Sequence, residues 1–585
     1  MKRWILAVFC VVAAAAPILA QAQKSSLADL IQAGNRKAAL DQIRAGADVN
    51  AAQPDGTRPV HWAVYRVDYE LLDALIAKKA KVDVTNEFGS SPLAEAAKLA
   101  DARMVKTLLA AGARPDSANL DDETALMVAI KTGDLPIVEM LIKAGAKVNV
   151  IEKFHDQTPL MYAAAAPKNA DAIVKLLLSK GADVKPRALY TDWPSQISSE
   201  PRSQYRPVGG LTALLYAARD GCYGCVEALI GAGANVNEPS PEGVTPLLTA
   251  LDNGYNDVAK LLLDRGANPN IWDWWGRTAL YIAIDRKEAA AGGRGGGFGG
   301  RGGAPRGGRG GRGGPPPVLA PRSSGPPVSS MEMITTLLAA GVDPNPELNM
   351  HRPSRGGNSG RFSEEQLSTG ATPLFRATQG GDMEVIQALL VKGANPNVNT
   401  MGLTAFLVAA GVGPGSRGGT GIAAQGAAGG AVNTGVMDAL LEHGADVNAQ
   451  VTGTKTYSMR VSRAPSANEG MSALHVAAQT GKVDLVRYLL GKGANPELVD
   501  ANGHKAIDLL SAAVAGGGAR GRGSPAAPAA AGTPPGRGAA AAGAFPPAAG
   551  ARGGPGGRGG RGAAPVSPAT VAEIRTLLED AASKK

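Results

Sequence analysis

The chain has 585 residues and a formal net charge of +9, with 4% aromatic and 19% charged residues. One compact core is not expected at this length, because a single hydrophobic core stops growing at about 250–300 residues. Segments 290–330 and 513–569 contain Arg and no acidic residue, and without them and without Lys2 and Arg3 the net charge is −5. A basic nucleic-acid-binding surface on the folded part is therefore not supported, and we expect no specific nucleic acid as a partner.

Residues 1–22 have the pattern of a secretory signal peptide. Lys2 and Arg3 form the charged start, residues 4–19 are apolar, and residues 20–22 form a small-residue cleavage site. An uncleaved anchor is the alternative, but the apolar run is short for a span of about 20 residues. Because no later segment is long and apolar enough to cross a membrane, we expect an exported protein, periplasmic or secreted, with no membrane span after cleavage.

A short N-terminal unit is predicted next, over residues 25–50. It would be a half-unit that caps the N-terminal end of the fold and buries Leu27, Leu30, Ile31 and Leu40. Lys and Arg side chains would stay on its outer side, as the terminal unit of a stacked fold requires a polar outer face.

Repeated units of 33 residues then follow, and the clearest covers residues 470–496. Its apolar periodicity predicts two short amphipathic helices, over about 472–479 and 483–490. Gly470 of this unit and Gly503 of the next are 33 residues apart. A fixed period of this length, with a turn and two helices per unit, indicates a stack of helix pairs rather than a globular core.

Two short motifs recur in these units. Thr-Pro-Leu marks a helix start, with Thr as the cap and Pro at the first helical position, and Gly-Ala-Asp/Asn-Val-Asn marks the exit. The first occurs at 158–160, 245–247 and 372–374, and the second at 46–50, 233–237 and 444–448. These motifs resemble the ankyrin repeat family. The resemblance implies an all-α ankyrin-repeat solenoid that binds partners through its hairpin tips and inner helix face.

Inserts interrupt the predicted repeats. The predicted domains are residues 23–289 and 331–512, separated by an insert at 290–330, with shorter inserts at 346–369, 412–434 and 451–467, and 513–569 precedes a C-terminal capping helix at 570–585. A further insert at 185–208 carries Tyr190, Trp193 and Tyr205. The Gly/Arg/Pro/Ala-rich inserts bury too little apolar surface to order themselves, so we expect disorder. Flexible spacers are one interpretation, and weak contact with polyanions is the other.

Cys222-Tyr223-Gly224-Cys225 lies at the start of a predicted second helix. In an oxidising compartment a local disulfide between Cys222 and Cys225 is plausible. Two simple thiols are the alternative, because Cys225 stands where other repeats bury Ile or Val. A thioredoxin-like role lacks the βαβ context that it needs, and no second ligand pair for a metal is evident.

The best candidate for partner binding is Trp272-Asp273-Trp274-Trp275, which holds three of the six tryptophans. By register with the ankyrin family these residues occupy variable hairpin positions, and Trp is enriched at binding hot spots. Packing of the rings on neighbouring hairpins is the competing interpretation.

No catalytic motif is evident, and the six histidines are scattered over different repeats. His61 and His475 stand at the helix-start position where the ankyrin family uses the imidazole within the scaffold. We therefore expect no enzymatic activity and no cofactor. The predicted function is a protein-binding scaffold, and the alternative is a polyanion-binding or surface-adhesive protein that acts through its Arg/Gly-rich loops.

Overall fold

The computed structural model describes residues 26–191, 208–291, 324–348, 370–400, 402–412, 433–452, 469–510 and 566–584. The chain forms two compact units, Met1–Glu364 and Glu365–Lys585. The inserts predicted at 346–369, 412–434, 451–467 and 513–569, like most of 290–330, lie outside the described residues. Their limits and the predicted disorder stay predictions.

Helix pairs build the first unit. The helices are α1 (Leu27–Gln32), α2 (Arg36–Arg44), α3 (Pro59–Tyr65), α4 (Tyr69–Ala77), α5 (Pro92–Lys98), α6 (Ala102–Ala110), α7 (Ala125–Thr132), α8 (Leu135–Lys143), α9 (Pro159–Ala164), α10 (Ala170–Ser179), α11 (Ala213–Asp220), α12 (Tyr223–Gly231), α13 (Pro246–Asn253), α14 (Asn256–Asp264), α15 (Ala279–Ala291) and α16 (Ser330–Ala339). Each odd-numbered helix packs on the next odd-numbered helix from α1 to α15, and the even-numbered helices form a second row beside them. The predicted helix-pair solenoid is confirmed for this unit.

The second unit repeats the pattern. Its helices are α17 (Pro373–Gly380), α18 (Met383–Val391), α19 (Ala405–Ala409), α20 (Thr434–Glu442), α21 (Ala473–Gln479), α22 (Val483–Gly491) and α23 (Pro568–Ser583). Helix α17 packs on α18 and α19, α19 on α20, α21 on α22, and α22 on α23. Helix α23 buries Ile574 and Leu578, as its periodicity predicts.

The helix starts have a local cause. Thr158 and Thr245 accept hydrogen bonds from the backbone N–H three residues ahead, at 3.4 and 3.3 Å. Each is followed by a Pro at the first helical position, where no intrahelical amide bond is lost. The second helices of several pairs begin instead at a capping Asp, such as Asp134, whose Oδ1 accepts from Ile137 N at 3.1 Å.

The N-terminal unit differs from the prediction. It contains two helices, α1 and α2, and is therefore a full helix pair rather than a half-unit. Leu27 and Ile31 are buried as predicted, but Leu30 and Leu40 are only half-buried. The buried positions of α2 are Ala39 and Ile43, because this helix turns its small and β-branched residues toward the neighbouring pair.

One helix pair of the first unit is interrupted by a long segment. Helices α15 and α16 pack against each other, although residues 292–323 lie between them in the sequence. Residues leading into α16 contact the preceding pairs, since Asn256 Nδ2 donates to Val328 O at 3.2 Å. Interruption of a pair therefore leaves its packing intact, as closure entropy grows slowly with loop length.

A short antiparallel ladder forms where an insert between repeats was predicted at 185–208. Strand β1 (Tyr190–Thr191) pairs with β2 (Val208–Gly209), so the described part of the fold is not purely helical. Of the insert's aromatic residues, Tyr190 is 54% exposed, and Trp193 and Tyr205 lie outside the described residues.

Two histidines join successive repeats by the same pair of hydrogen bonds. His61 Nδ1 accepts from Arg58 N at 3.1 Å, and its Nε2 lies 3.1 Å from Ser90 O in the next hairpin. His475 makes the equivalent contacts with Ser472 N at 3.2 Å and His504 O at 3.1 Å. Each ring must therefore be neutral, with the proton on Nε2. Burial lowers the pKa of both groups.

Acidification is therefore expected to destabilise both units through these rings. As the pH falls below about 6.5 the unfolded state takes up protons that native His61 and His475 do not, so the free energy of unfolding declines. Thermal unfolding between pH 7.5 and 5 checks this, and His61→Gln with His475→Gln should flatten the decline. The exposed His155 supplies the control, because His155→Gln should leave the pH dependence unchanged. An equally steep decline in the double variant contradicts the expectation.

Candidate functional site

Each described hairpin is organised by a polar side chain that binds backbone amides of its own turn. In one hairpin, Asn119 Oδ1 accepts from Asp121 N at 3.0 Å and from Glu123 N at 2.8 Å. Equivalent acceptors in other hairpins are Asn86, Glu152, Asp273 and Asp500. An amide-binding side chain at this position fixes the turn that points the neighbouring residues outward.

Asp273 has the largest set of such contacts. Its Oδ1 accepts from Trp275 N at 3.0 Å and from Arg277 N at 2.9 Å, and its Oδ2 accepts from Arg277 Nε at 2.7 Å. Arg277 also reaches Asp252 Oδ1 at 3.3 Å. Burial alone would lower the pKa of Arg277, but the adjacent carboxylates raise it above its usual value. The guanidinium is thus a permanent buried cation that ties the hairpin to α13.

The four residues of the predicted partner-binding site separate into two pairs. Asp273 is 1% and Trp275 is 8% exposed, and Trp275 lies under the Arg277 guanidinium at 5.2 Å from its ring centroid. Trp272 and Trp274 are 59% and 40% exposed. The packing interpretation therefore fits Trp275, and Asp273 acts within the hairpin. Only Trp272 and Trp274 offer ring surface to a partner.

Further large apolar side chains are exposed on the other hairpins of the first unit. We name them, together with Trp272 and Trp274, the apolar row. The other members are Phe88, Leu120, Ile151, Phe154, Leu189 and Tyr190. Phe88, Leu120 and Phe154 are 71%, 68% and 66% exposed. Exposed apolar side chains that are scattered singly need no explanation, but a run on successive hairpins marks an interaction surface.

Backbone hydrogen bonds hold neighbouring hairpins edge to edge. Trp274 N donates to Glu242 O of the preceding hairpin at 3.0 Å, and Lys153 N donates to Asp121 O at 2.7 Å. At Gly89 a Cβ atom would lie 2.6 Å from Leu120 N, so only glycine allows that approach. The apolar row is consequently mounted on a continuous, cross-bonded edge of the first unit.

An arginine extends this edge across the β1–β2 ladder. Arg187 Nη1 donates to Gly210 O at 3.1 Å and to Pro239 O at 2.9 Å, and Arg187 also pairs with Glu238. The ladder that carries Tyr190 is thereby joined to the hairpin that precedes the Trp residues.

Cys222 and Cys225 form a disulfide in the structure, with Cα atoms 5.2 Å apart. Its presence in the cell stays a prediction. Among the described residues no cluster of His, Cys, Asp and Glu could hold a metal ion. The same part of the chain contains no helix that is both long and apolar enough to span a bilayer.

Family comparisons agree with this geometry. The family model described as ankyrin repeats (three copies) matches residues 27–119, 95–188, 197–273 and 214–291, and the model described as ankyrin repeat matches 369–401 and 469–501. These stretches cover more than half of the 585 residues. The chain belongs to the ankyrin repeat family. No curated protein matches it. Ankyrin repeats indicate a protein-interaction scaffold, and ankyrin-repeat proteins are generally non-catalytic.

Sequence reasoning missed the amide-binding role of Asp273 and most of the apolar row. The signal for Asp273 was the ankyrin period itself, since Asn86, Asn119 and Glu152 follow at intervals of 33 residues, as Asp273 follows Ser240. Reading each hairpin in that register would also have placed Phe88 and Phe154 beside their acceptors, at exposed turn positions.

Proposed function

We propose that this ankyrin-repeat protein is a non-catalytic binding scaffold that docks a protein partner on the apolar row of its first unit. The observation that supports this most is the exposure of Trp272 and Trp274 on a hairpin that Asp273 and Arg277 hold from inside. Trp is among the residue types that contribute most at interfaces.

The site is preorganised for binding. The Trp hairpin is fixed by the buried Asp273–Arg277 pair and by the bond from Trp274 N to Glu242 O. A partner therefore loses little free energy in ordering this loop, which favours affinity at a given contact area.

Charge on the hairpins indicates the chemistry of the partner. Their carboxylates are Asp55, Glu87, Asp121, Asp122, Glu123, Glu152, Asp156, Glu242 and Asp273, whereas their cations are Lys153 and Arg277. Glu87 and Asp121 are exposed beside Phe88 and Leu120. The complementary surface is a protein segment that combines Lys or Arg with large apolar side chains, because opposite potentials steer association and suppress wrong partners.

Affinity purification of the tagged full-length protein from its source, followed by mass spectrometry, tests the proposal. A true partner should be recovered with the wild type and lost with Trp272→Ala and Trp274→Ala. Val391→Ala is the matched control, because Val391 is 76% exposed on α18 of the second unit, outside the apolar row. Equal recovery with all three proteins removes the Trp residues from the binding surface.

We also propose that the protein is exported, to the periplasm or the medium. The pattern of residues 1–22 supports this. The N-terminal sequence of the mature protein checks it, and a mature chain that still begins at Met1 contradicts it.

The second candidate function, adhesion to polyanions, rests on the arginines of 290–330 and 513–569. Those arginines lie outside the described residues. Retention on heparin should then fall steeply with salt and disappear when both segments are deleted. Retention that survives the deletion contradicts this candidate and leaves the apolar-row proposal untouched.

A further inference from the structure

Cys222 occupies a position that other repeats use for an anion. It is the cap of α12, and its Sγ accepts from Cys225 N at 3.3 Å. The equivalent residues at the starts of α4, α6, α8 and α18 are aspartates, and each carboxylate accepts from the same third helical amide. They are Asp68 at 3.1 Å, Asp101 at 2.9 Å, Asp134 at 3.1 Å and Asp382 at 3.3 Å. The amides that stabilise those carboxylates would equally stabilise a Cys222 thiolate in the dithiol form.

The two sulfur positions differ in access. Cys225 is 0% exposed and takes a core position of α12, whereas Cys222 is half-buried at the cap. A reagent in solution can therefore reach Cys222 and not Cys225. This asymmetry divides the roles of the pair into a reacting sulfur and a resolving sulfur.

The surroundings leave space and an acceptor beside the disulfide. The Asp171 carboxylate lies against Gly224, where a Cβ atom would be 2.5 Å from Oδ1. Asp171 Oδ1 is buried without a hydrogen-bond donor, while Oδ2 accepts from Lys175 at 2.9 Å. The other nearby acid, Asp220, pairs with Arg219 at 3.1 Å. Each carboxylate thus has its own cation, and the helix amides face the Cys222 sulfur.

We propose that Cys222 and Cys225 form a thiol–disulfide exchange site for protein or peptide dithiols. A substrate thiolate attacks Cys222 Sγ, the S–S bond breaks, and Cys225 leaves as a thiolate that takes a proton. The second substrate thiolate then attacks the substrate sulfur of the mixed disulfide and releases Cys222. Two electrons and two protons pass from the substrate dithiol, which becomes a disulfide, to the protein, which becomes a dithiol.

Labelling of the reduced full-length protein with iodoacetamide, with the modified residue identified by mass spectrometry, tests the division of roles. Cys222 should react about tenfold faster than glutathione at pH 7, because its thiolate is stabilised at the cap. Cys225 should stay unmodified while the protein is folded. Equal labelling of the two cysteines, or labelling no faster than glutathione, overturns the proposal.

Exchange is tested with oxidised glutathione and the single variants. Cys225→Ser should form a stable mixed disulfide on Cys222, whereas Cys222→Ser should form none on Cys225. Cys222→Asp restores the cap of the neighbouring repeats and should keep the thermal stability while it abolishes exchange. For the wild type, reduction by dithiothreitol should be much faster than global unfolding. Reduction only at the rate of unfolding identifies a purely structural disulfide and sinks the idea.

Discussion

Replacing Asp273 by Ala is expected to lower the free energy of unfolding by about 3–5 kcal/mol, because it leaves a buried Arg277 cation without its main partner. The same change removes the acceptor of two hairpin amides, from Trp275 and Arg277. Equilibrium urea denaturation followed by tryptophan fluorescence measures the loss, since Trp275 lies in the affected hairpin. An effect below about 0.5 kcal/mol, the range of ordinary surface changes, contradicts the role assigned to Asp273.

Two further variants separate the causes. Asp273→Asn keeps an acceptor of the kind that Asn86 and Asn119 supply in their hairpins, so the turn should survive and only the ion pair is lost. Its cost should be smaller than that of Asp273→Ala. Asp264→Ala breaks an exposed pair, in which Lys260 Nζ lies 3.0 Å from Asp264 Oδ1. That control should change stability by at most about 1 kcal/mol, because exposed ion pairs contribute little.

Replacing Trp272 and Trp274 together by Ala is expected to weaken partner binding by about thirtyfold or more, since one Trp hot spot contributes about 2 kcal/mol. Both rings are largely exposed, so the midpoint of thermal unfolding should stay close to that of the wild type. Titration of the identified partner by calorimetry, beside thermal unfolding of each variant, measures the two effects separately.

Trp275→Ala should behave in the opposite way. Its ring is buried under Arg277, so its removal should lower the unfolding midpoint. Val391→Ala should change neither quantity. If the Trp272 and Trp274 variant binds as tightly as the wild type, the partner sits elsewhere on the scaffold, even if it is a true partner.

Much of the fold could be predicted from the sequence, because each helix pair is encoded locally. Thr158 and Thr245 cap their helices as expected, and α22 begins and ends within a residue of the predicted limits. The N-terminal pair was harder, since α2 has a polar sequence and buries mainly Ala39 and Ile43. Its short apolar stripe is too weak to announce a helix without the neighbour on which it packs.

The candidate site could be located from its composition but not resolved into roles. Three tryptophans in four residues indicate a contact surface, yet their directions depend on the turn. The turn is set by Asp273, whose amide bonds place Trp275 inside and leave Trp272 and Trp274 outside. A lone exposed Phe88 or Phe154 resembles a core residue in the sequence, and only the stacking of hairpins brings them onto one edge.

The interrupted pair α15 and α16 has a consequence for the integrity of the molecule. Because these helices bury Tyr281 and Ile284 on one side and Ile334 and Leu337 on the other, their association does not depend on a continuous peptide between them. A protease that cut between residues 291 and 324 would produce two polypeptides that remain joined by this apolar seam. The intact chain could thus be divided at that point, by nature or by an experimenter, and still rebuild its repeat from the two pieces.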